Sequence, residues 1–150
     1  MNDGTALPEP FAEIADDFHA LGGKDRLQLL LEFSQSLPEL PERYADHPEL
    51  LEPVPECQSP IFLVTEVEGA GSEATARLFF SAPREAPTTR GFAAILAEAL
   101  DGRSVGEVLA TPDAVTGQLG LAEVVSPLRL NGMAGMLARI KRQIRAKATL

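Results

Sequence analysis

Residues 52 to 63 read Glu-Pro-Val-Pro-Glu-Cys-Gln-Ser-Pro-Ile-Phe-Leu and hold the chain's single cysteine, Cys57. Pro53 and Pro55 before it and Pro60 after it keep this backbone out of a helix and bias it towards extended or turn conformations. From Ile61 the residues turn apolar and β-branched (Ile61, Phe62, Leu63, Val64, Thr65), so the stretch predicts a stiff loop feeding a strand. A loop anchored on a scaffold is a common seat for a reactive group. An isolated cysteine is also commonly a small buried hydrophobe, and the loop alone leaves both readings open.

Outward from the loop, a strand over Ile61 to Val67, a turn at Glu68-Gly-Ala-Gly-Ser and a second strand from about Ala74 to Ser81 predict an antiparallel hairpin. Leu51 to Val54 can add a short edge strand. Upstream, Leu37 to Pro55 carries prolines at 38, 41, 48, 53 and 55 and reads as irregular. Two helices precede it. The first, about Phe11 to Leu21, aligns Phe11, Ile14, Phe18 and Leu21 and stops at Gly22-Gly23. The second, about Lys24 to Leu37, presents Leu27, Leu30, Leu31 and Ser34 on one side and Leu29 and Phe33 as a further stripe, an arc wide enough to predict burial between two layers. Residues 1–10 read as a flexible arm.

Downstream, Pro83 to Thr88 breaks the pattern, and Thr88 or Thr89 is placed to cap a helix from Arg90 to Leu100 that stops at Asp101-Gly102. Ser104 caps a short helix over Val105 to Leu109, and Asp113 another over Ala114 to Leu119. Ser126-Pro127 opens the terminal helical region, which Asn131-Gly132 is expected to interrupt. Beyond it, Met133, Met136, Leu137, Ile140 and Ile144 form a core-packing stripe. The fold class expected is α+β, a small antiparallel sheet flanked by helices.

A chain of 150 residues fits one domain and can bury about two-thirds of its unfolded surface. With 45% apolar residues and a mean hydropathy of zero it reads as globular and soluble. No apolar run approaches the roughly 20 residues of a membrane-spanning helix. The first ten residues lack the charged and apolar segments of a signal peptide, and a lone cysteine excludes an internal disulfide, so a cytoplasmic location is expected. All 22 acidic residues precede Arg139, whereas Arg139, Lys141, Arg142, Arg145 and Lys147 crowd the end. A net charge of −9 argues against a general nucleic-acid binder. The basic end either touches an acidic partner or complements a helix C-terminus.

Four spaced motifs resemble the SufE family of sulfur acceptors. Glu52-Pro-Val-Pro-Glu-Cys-Gln-Ser-Pro is similar to its cysteine loop, Leu37-Pro-Glu-Leu-Pro-Glu-Arg to its Leu-Pro-x-Leu segment, Thr89-Arg-Gly-Phe-Ala-Ala-Ile-Leu to its Arg/Lys-Gly-Leu helix start, and Ser126-Pro-Leu-Arg-Leu-Asn-Gly-Met to its Ser/Thr-Pro-x-Arg-x-x-Gly-Leu. Their order covers the chain from about Phe11 to Ile144. The resemblance implies one SufE/IscU-like domain over residues 1–150. It also implies that Cys57 takes persulfide sulfur from a pyridoxal-phosphate cysteine desulfurase (SufS- or CsdA-like), stimulates that enzyme, and passes the sulfur to an iron–sulfur scaffold. On this reading the pyridoxal phosphate would reside in the partner, and this chain is expected to bind no cofactor or metal and to have neither nucleic acid nor membrane as a partner. Gln58 and Ser59 match the family's loop, Glu85 falls where it commonly has an acidic residue, and Arg129 matches its Ser-Pro-x-Arg arginine. Two positions depart from the family's pattern: Glu56 stands where many relatives have glycine, and Arg84 where they often have serine. Glu56 should stiffen the loop and set a negative charge beside the thiol.

The residues exclude several other chemistries. A cysteine hydrolase needs a histidine beside its thiol, and His19 and His47 fall on the first helix and in the proline-rich stretch. One cysteine and two scattered histidines are too few for a zinc or iron–sulfur site, and no glycine pattern cradles phosphate after a strand. What remains for Cys57 is the chemistry of a lone thiolate: to attack a sulfur, carry it as a persulfide and be attacked in turn. Two alternatives stay open. A thiol redox sensor would need a cation near Cys57 in space, and a pure binding module would leave the thiol inert.

Overall fold

The computed structural model describes residues 7–149. β2 (Phe62–Glu68) and β3 (Thr75–Ser81) pair antiparallel from Phe62↔Ser81 to Glu68↔Thr75, across a turn in which Gly69 and Gly71 take the positive φ that a side chain would resist. β1 (Glu52–Pro53) pairs with the other edge of β2 through Glu52↔Leu63 and Pro53↔Phe62. The sheet order is β1-β2-β3. Along β3, Ala76, Leu78 and Phe80 are buried while their neighbours are half-buried, the alternation of a strand with its main core on one face. A smaller cluster of Tyr44, Leu51 and Val64, with Leu40, Phe62 and Phe79 against it, covers the other face.

The helices are α1 (Glu9–His19), α2 (Gly23–Gln35), α3 (Glu42–Ala45), α4 (Pro87–Leu100), α5 (Val105–Ala110) and α6 (Pro127–Lys147). α4 is buried almost all round, with Phe92, Ile95 and Leu96 fully enclosed, and so forms the centre of the core. A Cβ on its Gly91 would lie 2.7 Å from both the Leu30 carbonyl oxygen and the Leu30 Cδ1, so a hydrogen there is what lets α4 and α2 approach. On α6, Met133, Met136, Leu137, Ile140 and Ile144 are all buried, as the stripe predicts. The α+β class, a small antiparallel sheet flanked by helices, is the observed one, including the short edge strand.

Side chains and turns cover part of both sheet edges. Where β1 ends, the Thr65 N–H donates to Gln143 Oε1 at 2.8 Å, and the Thr65 carbonyl accepts from Lys147 Nζ. On β3, the Leu78 N–H donates to Asp101 Oδ1, the Ala76 N–H to the Arg103 carbonyl, and the Gly102 N–H to the Ala76 carbonyl, each at 2.8 Å.

Several expectations need correction. α1 begins at Glu9, so the arm expected over 1–10 is helical at its end; residues 1–6 lie outside the described residues. α4 starts at Pro87, whose fixed φ suits a first helical position, so Thr88 and Thr89 sit inside the first turn and cap nothing. α2 buries one face only, through Arg26, Leu30 and Ser34, while Leu27 remains 39% exposed. The proline-rich stretch contains α3 and a 3-10 turn, Pro48–Leu50. Asp113 begins a 3-10 turn, Asp113–Gln118, and pairs with Lys141 at 2.8 Å instead of capping. Ser104 does cap α5, in a reciprocal box with Glu107, and Ser126 Oγ accepts from the Arg129 N–H. Asn131-Gly132 does not interrupt α6, which runs unbroken.

Candidate functional site around Cys57

The cysteine loop is tied at its base and at its turn. Val54 N–H donates to the Ile61 carbonyl at 2.9 Å, extending the β1–β2 pairing by one bond. Pro55–Cys57 then forms one 3-10 turn, with Cys57 N–H on the Val54 carbonyl and Gln58 N–H on the Pro55 carbonyl, both at 3.1 Å. Gln58 takes the left-handed conformation (φ 57°) that reverses the chain, and Ile61 N–H returns to the Ser59 carbonyl at 2.7 Å.

The loop rests on α6, and two glycines make that possible. A Cβ on Gly132 would sit 3.0 Å from Cys57 Sγ and 3.1 Å from its Cα; one on Gly135 would sit 3.0 Å from Glu56 Cδ. A larger residue at Gly132 would press on the loop backbone itself, and one at Gly135 on the Glu56 side chain. The half-buried thiol lies 3.5 Å from the Gly132 carbonyl, to which it donates a weak hydrogen bond. One turn further along the same stripe, Arg139 Nη1 donates to Glu56 Oε2 at 2.9 Å and to the Gly135 carbonyl at 3.1 Å. Its Nε approaches Glu52 Oε2 to 3.3 Å, close enough for an ion pair but not aligned for a hydrogen bond. Arg142 also pairs with Glu52, and Gln143 Nε2 donates to Glu52 Oε1 at 2.9 Å.

Burial pushes the Cys57 thiol up to about 11; the adjacent Glu56 carboxylate adds to the rise and the Arg139 guanidinium opposes it. At rest the sulfur is therefore a protonated thiol. The hydrogen bond from Arg139 holds Glu56 below the usual carboxylate range. Burial pushes Glu52 up, but hydrogen bonds from Arg142 and Gln143 outweigh it and leave that carboxyl lowered.

Cys57, Glu56, Gln58 and Ser59 thus share one docked loop, with Gln58 exposed and Ser59 half-buried. Arg129 lies on α6 one turn before Gly132, exposed, its side chain without a hydrogen bond or ion pair among the described residues. Glu85 is exposed in the connection from β3 to α4 and is joined to the loop by no hydrogen bond. Arg84 beside it pairs with Glu39 at 3.3 Å. His47 pairs with Glu49, and neither histidine bonds to Cys57. No group of three metal-ligating side chains occurs among the described residues. Gly132, Gly135 and Arg139 are the site residues that sequence reasoning missed. Their signal is glycines three apart, with an arginine four further on, inside an amphipathic helix.

The sequence profile of the SufE family, described as an Fe-S metabolism associated domain, matches residues 12–144. An uncharacterized SufE-like protein of Mycobacterium tuberculosis is 52% identical over 145 residues, covering 97% of this chain and 98% of that one. A second uncharacterized SufE-like protein, from Rhizobium meliloti, is 33% identical over 134 residues, covering 86% and 90%. The solution structure of a hypothetical protein from Thermus thermophilus superimposes with a TM-score of 0.79 at 36% identity, covering 95% of this chain and 98% of that one.

Proposed function

This chain belongs to the SufE family, and from that membership we propose that Cys57 is a sulfur carrier serving iron–sulfur cluster assembly. The Cys57 thiol loses its proton and the thiolate attacks the outer sulfur of a persulfide on a pyridoxal-phosphate cysteine desulfurase. A new S–S bond forms on Cys57 as the partner's S–S bond breaks. The partner leaves as a thiolate and takes up the proton, so the exchange is redox-neutral overall. An acceptor thiol on an iron–sulfur scaffold then attacks the outer sulfur of the Cys57 persulfide in the same way. The chain acts with the desulfurase and stimulates it, rather than as a stand-alone enzyme, and works in the cytoplasm.

The observation that carries this reading is the setting of the single thiol. It sits on a hydrogen-bonded turn, pressed against a glycine carbonyl and kept protonated. A carrier benefits from such shelter, because an exposed thiolate or persulfide reacts with other oxidants and thiols before its proper acceptor. A redox sensor needs the opposite, a low-pKa exposed thiolate. Gln58, Ser59 and Arg129 would meet the partner around the loop, and the exposed Glu85 would add an acidic contact. Incubation with the host's cysteine desulfurase and free cysteine should add the mass of one sulfur to the intact protein, removable by a thiol reductant. No adduct in the presence of an active desulfurase, or an equal adduct on Cys57→Ser, would refute the carrier role.

A further inference from the structure

We propose that Arg139 is a positioning residue that latches the cysteine loop onto α6, and that opening its bridge to Glu52 and Glu56 is the step that brings the thiol out. The inference deepens the carrier reading and takes its purpose from it. Glu52 lies in β1 at the start of the segment that carries Cys57, and Glu56 immediately precedes the cysteine. One guanidinium reaches both, at 3.3 and 2.9 Å. Its other polar contact among the described residues is the carbonyl of Gly135, on its own helix. Among the described residues Arg139 therefore ties this segment to its own helix and reaches no other element.

The bridge is sheltered enough from solvent and salt to matter, with the Arg139 side chain 19% exposed and that of Glu56 34% exposed. It is also incomplete. Among the described residues Glu56 Oε1 and Arg139 Nε are buried without a hydrogen-bond partner, and both would regain water when the loop lifts. A bridge made of one good charged hydrogen bond and one unaligned ion pair, with two atoms left unpartnered, is poised to open, where a fully satisfied network would be locked. The glycines make the closed position accessible, and the ion pair selects it.

Two measurements on the free protein test the latch: the iodoacetamide alkylation rate of Cys57 and amide hydrogen exchange of a peptide covering residues 54–60. Exchange is blind to thiol ionisation, so it separates loop opening from the change in charge. Arg139→Gln should raise both rates about tenfold, equivalent to about 1.4 kcal/mol. Glu56→Gln should raise loop exchange severalfold in the Arg139 background and add nothing in the Arg139→Gln background. Arg139→Lys, which keeps the charge but not the fork that spans two carboxylates, should fall between. Exchange in β2 and β3 should stay as in the unaltered protein. Unchanged loop exchange in Arg139→Gln, or additive effects of the two changes, overturns the latch; so does exchange that rises equally throughout the sheet, since Arg139 would then be a general tie. None of these readouts needs the desulfurase. Absence of a persulfide on the unaltered protein would sink the carrier role and leave the latch standing.

Discussion

Replacing Gly132 with alanine should uncover the thiol at little cost to the fold. The added methyl would stand 3.0 Å from Cys57 Sγ and 3.1 Å from its Cα, where ordinary contact begins at about 3.4 Å, so the loop must retreat by about half an ångström. Two effects on stability oppose one another: alanine in place of glycine favours a helix by about 1 kcal/mol, and overpacking costs about 1–3 kcal/mol. The net loss is then about 0–2 kcal/mol. Reactivity should move much further. With the thiol at about 11, roughly one molecule in 10⁴ is a thiolate at pH 7; relieved of its burial and returned towards 9, roughly one in 10² would be. A hundredfold faster alkylation is therefore the ceiling, and about tenfold the expectation for partial displacement. The assay is the iodoacetamide rate at pH 7 beside a urea melt, with Gly117→Ala as control, because a Cβ there meets nothing within 4 Å. An unchanged rate in Gly132→Ala, or an equal acceleration in Gly117→Ala, would refute the packing argument.

Two further outcomes follow from the same site. Because the fold raises the Cys57 pKa, the folded chain holds the thiol proton after the unfolded chain has lost it. This contribution to stability is fully present below about pH 9 and is lost as pH rises towards 11. The urea midpoint should accordingly fall more steeply over that window in the unaltered protein than in Cys57→Ser, and parallel curves would show that the thiol is not desolvated. At Arg129, exposed and without a side-chain partner among the described residues, Arg129→Lys should shift stability by less than about 0.5 kcal/mol while weakening stimulation of the desulfurase. A large drop in Tm would instead mark a structural tie.

Much of the fold and the turn that carries Cys57 were legible in the sequence because they rest on short-range patterns. Prolines around Cys57, β-branched residues after it, glycines in the hairpin turn and the 133–144 stripe each act within a few residues, and each element formed where those signals stood. What was not legible depends on contacts distant in sequence. Gly132 reads as a helix breaker until Cys57, 75 residues away, is found against it. Arg139, Lys141, Arg142 and Lys147 read as one basic tail, yet they turn to Glu56, Asp113, Glu52 and the Thr65 carbonyl respectively. The cation that the loop lacks in sequence is supplied by the helix beneath it. Similarly, Leu27 joined a predicted apolar stripe on α2, but the neighbouring layer covers only the Leu30 side.

The partial covering of the sheet borders also limits how another molecule can meet this protein. An open strand offers its amides and carbonyls to an extended peptide, whose affinity then comes from main-chain hydrogen bonds. Here Gln143 and Lys147 on one side, and the residues 101–103 turn on the other, already occupy the positions from which main-chain recruitment would begin. At these positions an added strand would find the hydrogen-bonding groups already taken.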